Sequence, residues 1–173
     1  MNSPATLRSS ISRLPLLLLL VVLPAIASAA DIQGWLVLNP VLPETVMSTD
    51  VMEKNKLVHG GWHVSGTGVL HTDATADTDQ VYRMFRPVST GGVVRMLAVT
   101  EAEKNANEKA GFILEGSLGN VPLKAAPGLT AVYRFSKAGK FLWLMSDTDQ
   151  AWATKNGWAR DKAVFWLWPN TYR

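Results

Sequence analysis

Three groups of side chains carry chemistry that a protein site could use: two histidines, a run of aspartates and an aromatic C-terminal segment. His59 and His63 lie four residues apart, a spacing that binds a metal when both residues are on one helix. Gly60 and Gly61 lie between them and are predicted to end such a helix, so the geometry does not favour a metal site. We expect both histidines, and also His71, to be exposed to solvent.

The aspartates lie in a polar stretch from His71 to Gln80, at positions Asp73, Asp77 and Asp79. Calcium loops place oxygen ligands at alternating positions and add a glycine and a final glutamate. This stretch lacks both, so the sequence favours a solvated linker over a calcium site. We predict no metal and no cofactor.

The C-terminal segment, FWLWPNTYR, is the main candidate for ligand binding. In an extended strand, Trp166 and Trp168 share one face, and Phe165 and Leu167 share the other. Apolar side chains on both faces indicate either full burial or an aromatic stripe that is open to a ligand or partner. Because aromatic rings stack on sugars, Trp166, Trp168 and Tyr172 are the candidate binding residues.

No arrangement for catalysis is evident in the sequence. A catalytic site requires a nucleophile, a base and a group that orients them, and the chain has no cysteine, no G-x-S-x-G motif and no glycine-rich phosphate loop. A carboxylate pair for glycoside cleavage is compatible with the sequence, but the acids that recur along the chain have structural explanations. We predict a non-enzymatic protein without catalytic residues.

Residues 1–30 have the pattern of a secretory signal peptide. Arg8 and Arg13 precede the apolar run LPLLLLLVVL, and small residues follow that run. The run is shorter than the roughly 20 apolar residues that span a membrane. We predict cleavage near Ala29 or Ala30 and a secreted or periplasmic protein without stable membrane insertion.

Cleavage changes the charge of the chain. The full sequence has 17 basic and 14 acidic side chains, and the loss of two arginines leaves 15 against 14, a net charge of +1. A nearly neutral chain without a basic run does not indicate nucleic-acid binding. Residues 31–173 correspond to one domain, which is large enough to form a core without disulfides.

One pattern occurs three times after the signal peptide and predicts a helix with a defined start and end. A capping residue is followed three residues later by an acid, and then by a glycine and an aromatic residue at constant offsets, which indicates a repeat. The caps and acids are Asp50 with Glu53, Thr100 with Glu103, and Ser146 with Asp149. The glycines and aromatic anchors are Gly61 with Trp62, Gly111 with Phe112, and Gly157 with Trp158.

Two strand-like runs precede each predicted helix, and one follows it. Turn-forming residues separate the first two runs, which is typical of a hairpin. The three units are therefore strand, strand, short helix, strand, over about 31–80, 81–130 and 131–173. Because three units can close around an axis, we predict a mainly β fold with short helices (α+β) that is pseudo-threefold and β-trefoil-like. The alternative is an open array of three ββαβ units.

An arginine and an acid vary together between the units. Arg83 and Arg134 follow the opening tyrosine of units 2 and 3, and Glu115 and Asp161 follow the aromatic anchor by three residues. Unit 1 has a leucine and a serine at these positions. Because the loss of one partner of a half-buried pair leaves a stranded charge, we predict the ion pairs Arg83–Glu115 and Arg134–Asp161, within or between neighbouring units.

The units resemble an extracellular bacterial tandem-repeat family of unknown function. Its copies read roughly Y-R-x-Y-N-P-x-x-G-x-H-F-Y-T, then E-A-E-x, then G-W-x-x-E-G. This chain has VYRMFRP, TEAEKNANEKAGF and LEG in unit 2, AVYRF and NGW in unit 3, and LNP with EKNKLVHGGW in unit 1. The histidine of the H-F-Y-T strand is absent from all three units, so this is a degenerate copy.

The resemblance implies an accessory module of secreted bacterial proteins that binds cell-surface polysaccharide and has no catalytic residue. We therefore predict an exported, non-enzymatic module that binds a glycan or envelope component. One alternative is a protein-interaction module, such as an inhibitor of a secreted protease, with the segment Gly116–Thr130 as its contact loop. Another is a degenerate structural domain without a ligand.

Overall fold

A computed structural model of the chain describes residues 30–89 and 91–170. Residues 1–29 of the predicted signal peptide and Tyr172 lie outside the described residues. Within them, each unit has the predicted order of strand, strand, helix, strand. Unit 1 contains β1 (Asp31–Asn39), β2 (Glu44–Ser48), α1 (Val51–His59) and β3 (His63–His71); unit 2 contains β4 (Thr78–Pro87), β5 (Val93–Ala98), α2 (Glu101–Lys109) and β6 (Ile113–Pro122); unit 3 contains β7 (Thr130–Lys137), β8 (Lys140–Leu144), α3 (Asp147–Lys155) and β9 (Ala159–Leu167).

The first strand of each unit is the centre of a three-stranded antiparallel arrangement. It pairs on one side with its hairpin partner and on the other side with the strand that follows the helix. The hairpin register is the same in all three units, because the opening aromatic residue lies opposite the residue two positions before the helix cap. These pairs are Trp35 with Ser48, Tyr82 with Ala98, and Tyr133 with Leu144.

The units contact one another in a closed set. A single pair, His71 with Asn120, joins β3 to β6, so that units 1 and 2 share a six-stranded sheet, while unit 3 forms a three-stranded sheet. Strand β9 contacts both β3 and β6, and the hairpin strands β2, β5 and β8 also contact one another. Because unit 1 touches unit 3 as well as unit 2, the units do not form an open array.

The apolar core draws side chains from all three units. Leu36, Met84 and Phe165 belong to one cluster of buried residues, and Phe135 and Trp158 belong to a smaller one. The helices contribute little to it, since α1 and α2 bury none of their residues. Their ends must therefore be fixed by capping rather than by packing. No helix among residues 30–89 and 91–170 is long and apolar enough to cross a membrane.

The helices begin and end at the predicted residues. The three predicted caps each accept a hydrogen bond from a backbone N–H of the first helical turn. The glycines that follow, Gly61, Gly111 and Gly157, have φ angles of 87°, 86° and 76°. This left-handed conformation ends a helix at little cost only when the residue has no side chain.

The aromatic anchors differ in burial between the units. Phe112 is buried beneath the guanidinium of Arg86, which lies 4.6 Å from the ring centre. Trp158 is buried in the smaller core cluster together with Ala153 of α3. Trp62, predicted to be a core anchor, is only half-buried and belongs to neither core cluster.

The segment Gly116–Thr130 is not the long loop that the sequence indicated. Strand β6 extends through Pro122, and its backbone pairs with β4 as far as Thr78. Only residues 123–129 remain as a connection to β7. The strand after α2 was predicted, but the contact-loop interpretation ended it too early, because pairing with β4 continues through Gly119 and Asn120 to Pro122.

The junctions between units are filled to different extents. Met145, directly before the cap of α3, packs on Gly66 of unit 1, so closely that a Cβ on Gly66 would lie 2.6 Å from the Met145 Cβ. Thr49 has the equivalent position before α1, and Gly116, the counterpart of Gly66 in unit 2, has open space around it. The shorter side chain of Thr49 leaves an open cavity of about 390 Å³ at the junction of units 1 and 2.

We expect Gly66→Ala to lower the free energy of unfolding by about 1–3 kcal/mol, because the added methyl overpacks the junction of units 3 and 1. The matched variant Gly116→Ala should change it by less than about 0.5 kcal/mol, because the methyl enters open space. Urea denaturation midpoints of the two variants check this difference. Equal effects in both variants would contradict the tighter packing at Gly66.

Candidate functional site

The connections between units meet the C-terminal segment at one end of the strands, which we call the linker end. Strand β1 begins and β3 ends there, since Asp31 lies opposite His71. Residues 72–77 and 123–129 form the two linkers, and Trp168 is held beside them by backbone hydrogen bonds to Val69. Together they surround an open cavity of about 450 Å³, the linker-end cavity.

The linker-end cavity combines an aromatic wall with a few polar groups. Trp168 and the small apolar residues of the second linker form its walls. Hydroxyl, carboxylate and ammonium groups come from Thr75, Thr78, Asp77 and Lys124. An apolar surface with a small number of polar groups that fix orientation is typical of sites for small ligands.

The indole of Trp168 is held in place by a stacked histidine ring. His71 stacks on it with the ring centres 3.8 Å apart and the planes 6° apart. The imidazole Nε2 is 3.4 Å from Asp31 Oδ1, which limits its rotation. A ring fixed in this way loses little conformational entropy when a ligand stacks on it.

The first linker is also fixed by hydrogen bonds. The buried Asn120 donates from Nδ2 to the carbonyl oxygens of His71 and Thr72, at 3.2 and 2.9 Å. Within the linker, the Thr75 N–H donates to Thr78 Oγ1 at 2.7 Å. These hydrogen bonds fix the conformation of the turn at the polar rim of the cavity, and with it the positions of the Thr75 and Thr78 hydroxyl groups.

The predicted aromatic stripe is divided by the structure. Trp168 lines the linker-end cavity, whereas Trp166, half-buried on the same face of the chain, does not. Phe165 and Leu167 face the core. Tyr172 lies outside the described residues. The stripe is neither fully buried nor continuous, because β9 ends at Leu167 and only the following tryptophan reaches the linkers.

Sequence reasoning missed several residues of this cavity. His71, predicted to be solvent-exposed, is instead stacked on Trp168. Asp77 and Asp79 were assigned to a solvated linker rather than to a ligand site, and Asp79 belongs to β4. Lys124 was included only in the predicted protein-contact loop, since nothing in its neighbourhood indicates that the second linker folds against the first. Within residues 30–89 and 91–170, no group of three or more His, Cys, Asp or Glu residues could hold a metal.

Both predicted ion pairs are present, each within one unit. Arg83 Nε lies 3.2 Å from Glu115 Oε2, and Arg134 Nε lies 2.7 Å from Asp161 Oδ2. In each unit, the register shifts opposite the arginine, in the strand that follows the helix. The shift brings the acid next to the guanidinium.

Arg83 also connects unit 2 to unit 1, which the sequence did not indicate. Its Nη1 lies 2.7 Å from Glu53 Oε2 and donates to the carbonyl oxygen of Met47. Burial raises the pKa of Glu53, but hydrogen bonds from Arg83 and Ser48 outweigh it, so the pKa lies below its ordinary value. Glu53 therefore stays ionised and joins the start of α1 to the next unit.

A second inter-unit contact joins unit 3 to unit 1. His63 Nε2 lies 2.8 Å from Asp149 Oδ1, and Ser146 Oγ donates to the other carboxylate oxygen at 2.7 Å. The carboxylate lies between the serine and the histidine, so the ring cannot take a proton from the serine as a catalytic base does. The arrangement is a structural contact, and His63 is still exposed as predicted, with 47 % of its side chain accessible.

The acids after the caps thus have two roles. Only Glu103 reaches back to the backbone at its own helix start, where it accepts from the Val99 N–H at 2.8 Å. Glu53 and Asp149 reach the neighbouring unit instead. Among the described residues, these two acids lack the predicted hydrogen bond from the backbone at their own helix start, because Arg83 and His63 of the neighbouring units contact their carboxylates.

The geometry can be compared with known proteins at this point. Residues 35–168 match the family described as a domain of unknown function, DUF5648. The chain belongs to this family. The match to DUF5648 runs from Trp35 to Trp168, so it includes the helices of all three units and the aromatic wall of the linker-end cavity. Neither a curated protein nor a solved structure matches the chain.

We expect Asp149→Asn to lower the free energy of unfolding by about 1–3 kcal/mol at pH 7, because the carboxylate is hydrogen-bonded at both oxygens. Burial raises the pKa of Asp149, but the nearby Ser65 and Ser146 hydroxyls and the His63 ring outweigh it and lower the pKa. A lowered pKa stabilises the fold above about pH 4 and loses this effect as the pH falls through the folded-state value.

The stability difference between wild type and Asp149→Asn should therefore shrink below about pH 4. Urea denaturation at a series of pH values measures it. The matched variant Asp147→Asn, on the exposed face of the same helix turn, should show a smaller difference at pH 7. A difference for Asp149→Asn that is constant from pH 7 to pH 3 would contradict the role of its charge.

Proposed function

We propose that this member of the DUF5648 family is an exported, non-enzymatic module that binds a glycan or envelope polysaccharide in the linker-end cavity. The observation that carries the proposal is Trp168, held by His71 at the wall of a cavity with a polar rim. The C–H face of a sugar ring stacks on such an indole. The volume of about 450 Å³ lies in the usual range for small-ligand sites.

The polar groups of the cavity match the hydroxyl groups of a sugar. Asp77 can accept hydrogen bonds, Lys124 can donate them, and the hydroxyls of Thr75 and Thr78 can do both. One acid and one base at the rim leave the cavity without excess charge, which favours a neutral glycan over a highly charged one. The cavity is also open, as a site on a polymer chain requires.

The alternative of a protease inhibitor receives less support. It depended on a long contact loop over Gly116–Thr130, and the structure leaves only residues 123–129 outside the strands. These residues form a wall of the linker-end cavity. A short linker folded against a cavity is a poor mimic of an extended protease substrate.

We further infer that the three units are diverged tandem copies around a pseudo-threefold axis, in the manner of a β-trefoil. The shared hairpin register, the shared central strand and the mutual contacts of β2, β5 and β8 support this. The proposal also keeps the signal peptide over residues 1–30, with cleavage near Ala29 or Ala30 and a secreted or periplasmic product.

Limited proteolysis of the protein recovered outside the cytoplasm, followed by intact mass measurement, tests export and closure together. We expect an N-terminus at Ala30 or Asp31, because the apolar segment is removed on export. We also expect one resistant core of three units, because each unit contributes to a common core. A retained Met1, or the release of a single stable unit, would contradict the respective proposal.

Removal of the indole in Trp168→Ala should weaken binding of the glycan by about tenfold, because the stacking surface is lost. Trp168→Phe should keep part of the affinity. Pull-down on purified cell-wall polysaccharide, followed by titration calorimetry with soluble fragments, measures both variants.

The matched control is Trp166→Ala, which removes the neighbouring half-buried tryptophan outside the cavity. It should bind normally once its folding is verified by circular dichroism. Equal loss in both variants would point to a general folding defect. Binding to a panel of secreted proteases without binding to polysaccharide would overturn the glycan proposal.

A further inference from the structure

The opposite end of the strands, where the three hairpins turn, combines exposed apolar side chains with positive charge. We call residues 39–44, 86–89, 91–95 and 137–141 the hairpin end. Strand β1 runs from the linker end to this one, so the two ends face apart along the strands. The hairpin end surrounds an open cavity of about 570 Å³ lined in part by Arg86, Arg95 and Lys140.

The apolar part is the tip of the β1–β2 hairpin. Val41 and Leu42 are 82 % and 68 % exposed. Both backbone N–H groups donate to Asn39 Oδ1 at 3.0 Å, and prolines flank the pair on both sides. The tip is therefore a fixed turn that presents two aliphatic side chains to the outside.

The charge of the hairpin end is positive. It contains the basic residues Arg86, Arg95, Lys137 and Lys140 and one acid, Glu44, a net charge of +3. Residues 31–173 as a whole carry +1, so the rest of that segment is net negative. The net positive charge of this nearly neutral protein is therefore located at the hairpin end.

Most of these cations have no acidic partner. Arg95 is paired with Glu44. Arg86 is held by the carbonyl oxygen of Ala110 and by an aromatic ring, which fix its guanidinium without neutralising it. Among the described residues, Lys140 forms no ion pair. Arg86 is thus held in place, and within the described part of the chain neither Arg86 nor Lys140, which line the cavity with Leu42 of the tip, is paired with an acid.

We propose that the hairpin end docks on an anionic phospholipid surface. Val41 and Leu42 enter the interfacial layer, and Arg86 and Lys140 bind the headgroup phosphates. A small apolar insertion or a few cations alone bind a bilayer weakly, whereas the two together give reversible peripheral attachment. A free anion would explain the cations but would leave two exposed aliphatic side chains without a role.

This attachment does not depend on the proposed glycan binding, but it is compatible with it. A protein docked by its hairpin end directs the linker-end cavity away from the lipid, towards a polysaccharide layer. The variant Trp168→Ala should therefore bind vesicles as wild type does, so that failure of one proposal is distinguishable from failure of the other.

Vesicle co-sedimentation of the exported protein tests the proposal. We expect binding to vesicles of phosphatidylcholine with about one-third phosphatidylglycerol, weak binding to phosphatidylcholine alone, and release at high salt. Lys140→Gln should weaken binding about fivefold, because one cation near the surface is lost. The double variant Val41→Ser, Leu42→Ser should weaken it about tenfold or more, because the apolar insertion is lost.

The matched control is Met52→Ser. Met52 is 71 % exposed on α1, outside the hairpin end, so this variant should bind as wild type does. Circular dichroism verifies that all variants are folded.

Three results would overturn the proposal. The first is equal binding to neutral and anionic vesicles. The second is competition by inorganic phosphate together with normal binding of the Val41→Ser, Leu42→Ser variant, which would indicate a free-anion site. The third is a change of oligomeric state in that variant by size-exclusion light scattering, which would identify the tip as a contact between copies of the chain.

Discussion

The closed arrangement of the three units depends on a carboxylate that serves two units at once. Glu53 and Asp149 follow their helix caps by three residues, where an acid normally satisfies the helix start. Each extends further, to Arg83 of unit 2 or to His63 of unit 1. Because α1 buries none of its residues, the contact of Glu53 at its start fixes where this helix lies on the sheet.

The same constraint explains why equivalent positions differ between the units. Where the residue before the cap is Met145, its side chain fills the space above Gly66, and the carboxylate of Asp149 contacts His63 of the neighbouring unit. Where that residue is Thr49, a cavity remains, and an arginine with two carboxylates occupies its wall. At these two junctions, the unit with less side-chain packing has more charged groups. A substitution that alters the packing is therefore expected to require a matching change in the charged groups.

The local features of this fold could be predicted from sequence, and the features between units could not. Caps and glycine stops depend on residues at fixed offsets within one unit, so comparison of the three units reveals them, and the Arg83–Glu115 pair is revealed because both of its positions change together in unit 1. The contact of His63 with Asp149 joins residues 86 positions apart and has no counterpart in the other units. The stacking of His71 on Trp168 likewise has no counterpart in the other units. A comparison between units therefore marks His63 and His71 as unmatched residues and does not indicate which side chains they contact.

This division also indicates where function lies. The sheets and caps recur because every unit needs them to fold, and the intra-unit ion pair recurs in units 2 and 3. The two ends of the strands are free of that requirement, since turns and linkers tolerate substitution when the strands are in register. The linker end has an aromatic ring fixed by a histidine, and the hairpin end has an exposed apolar turn among cations. The proposed glycan and lipid contacts therefore use unlike chemistry at opposite ends, whereas three identical units in a symmetric arrangement would place the same chemistry around each end.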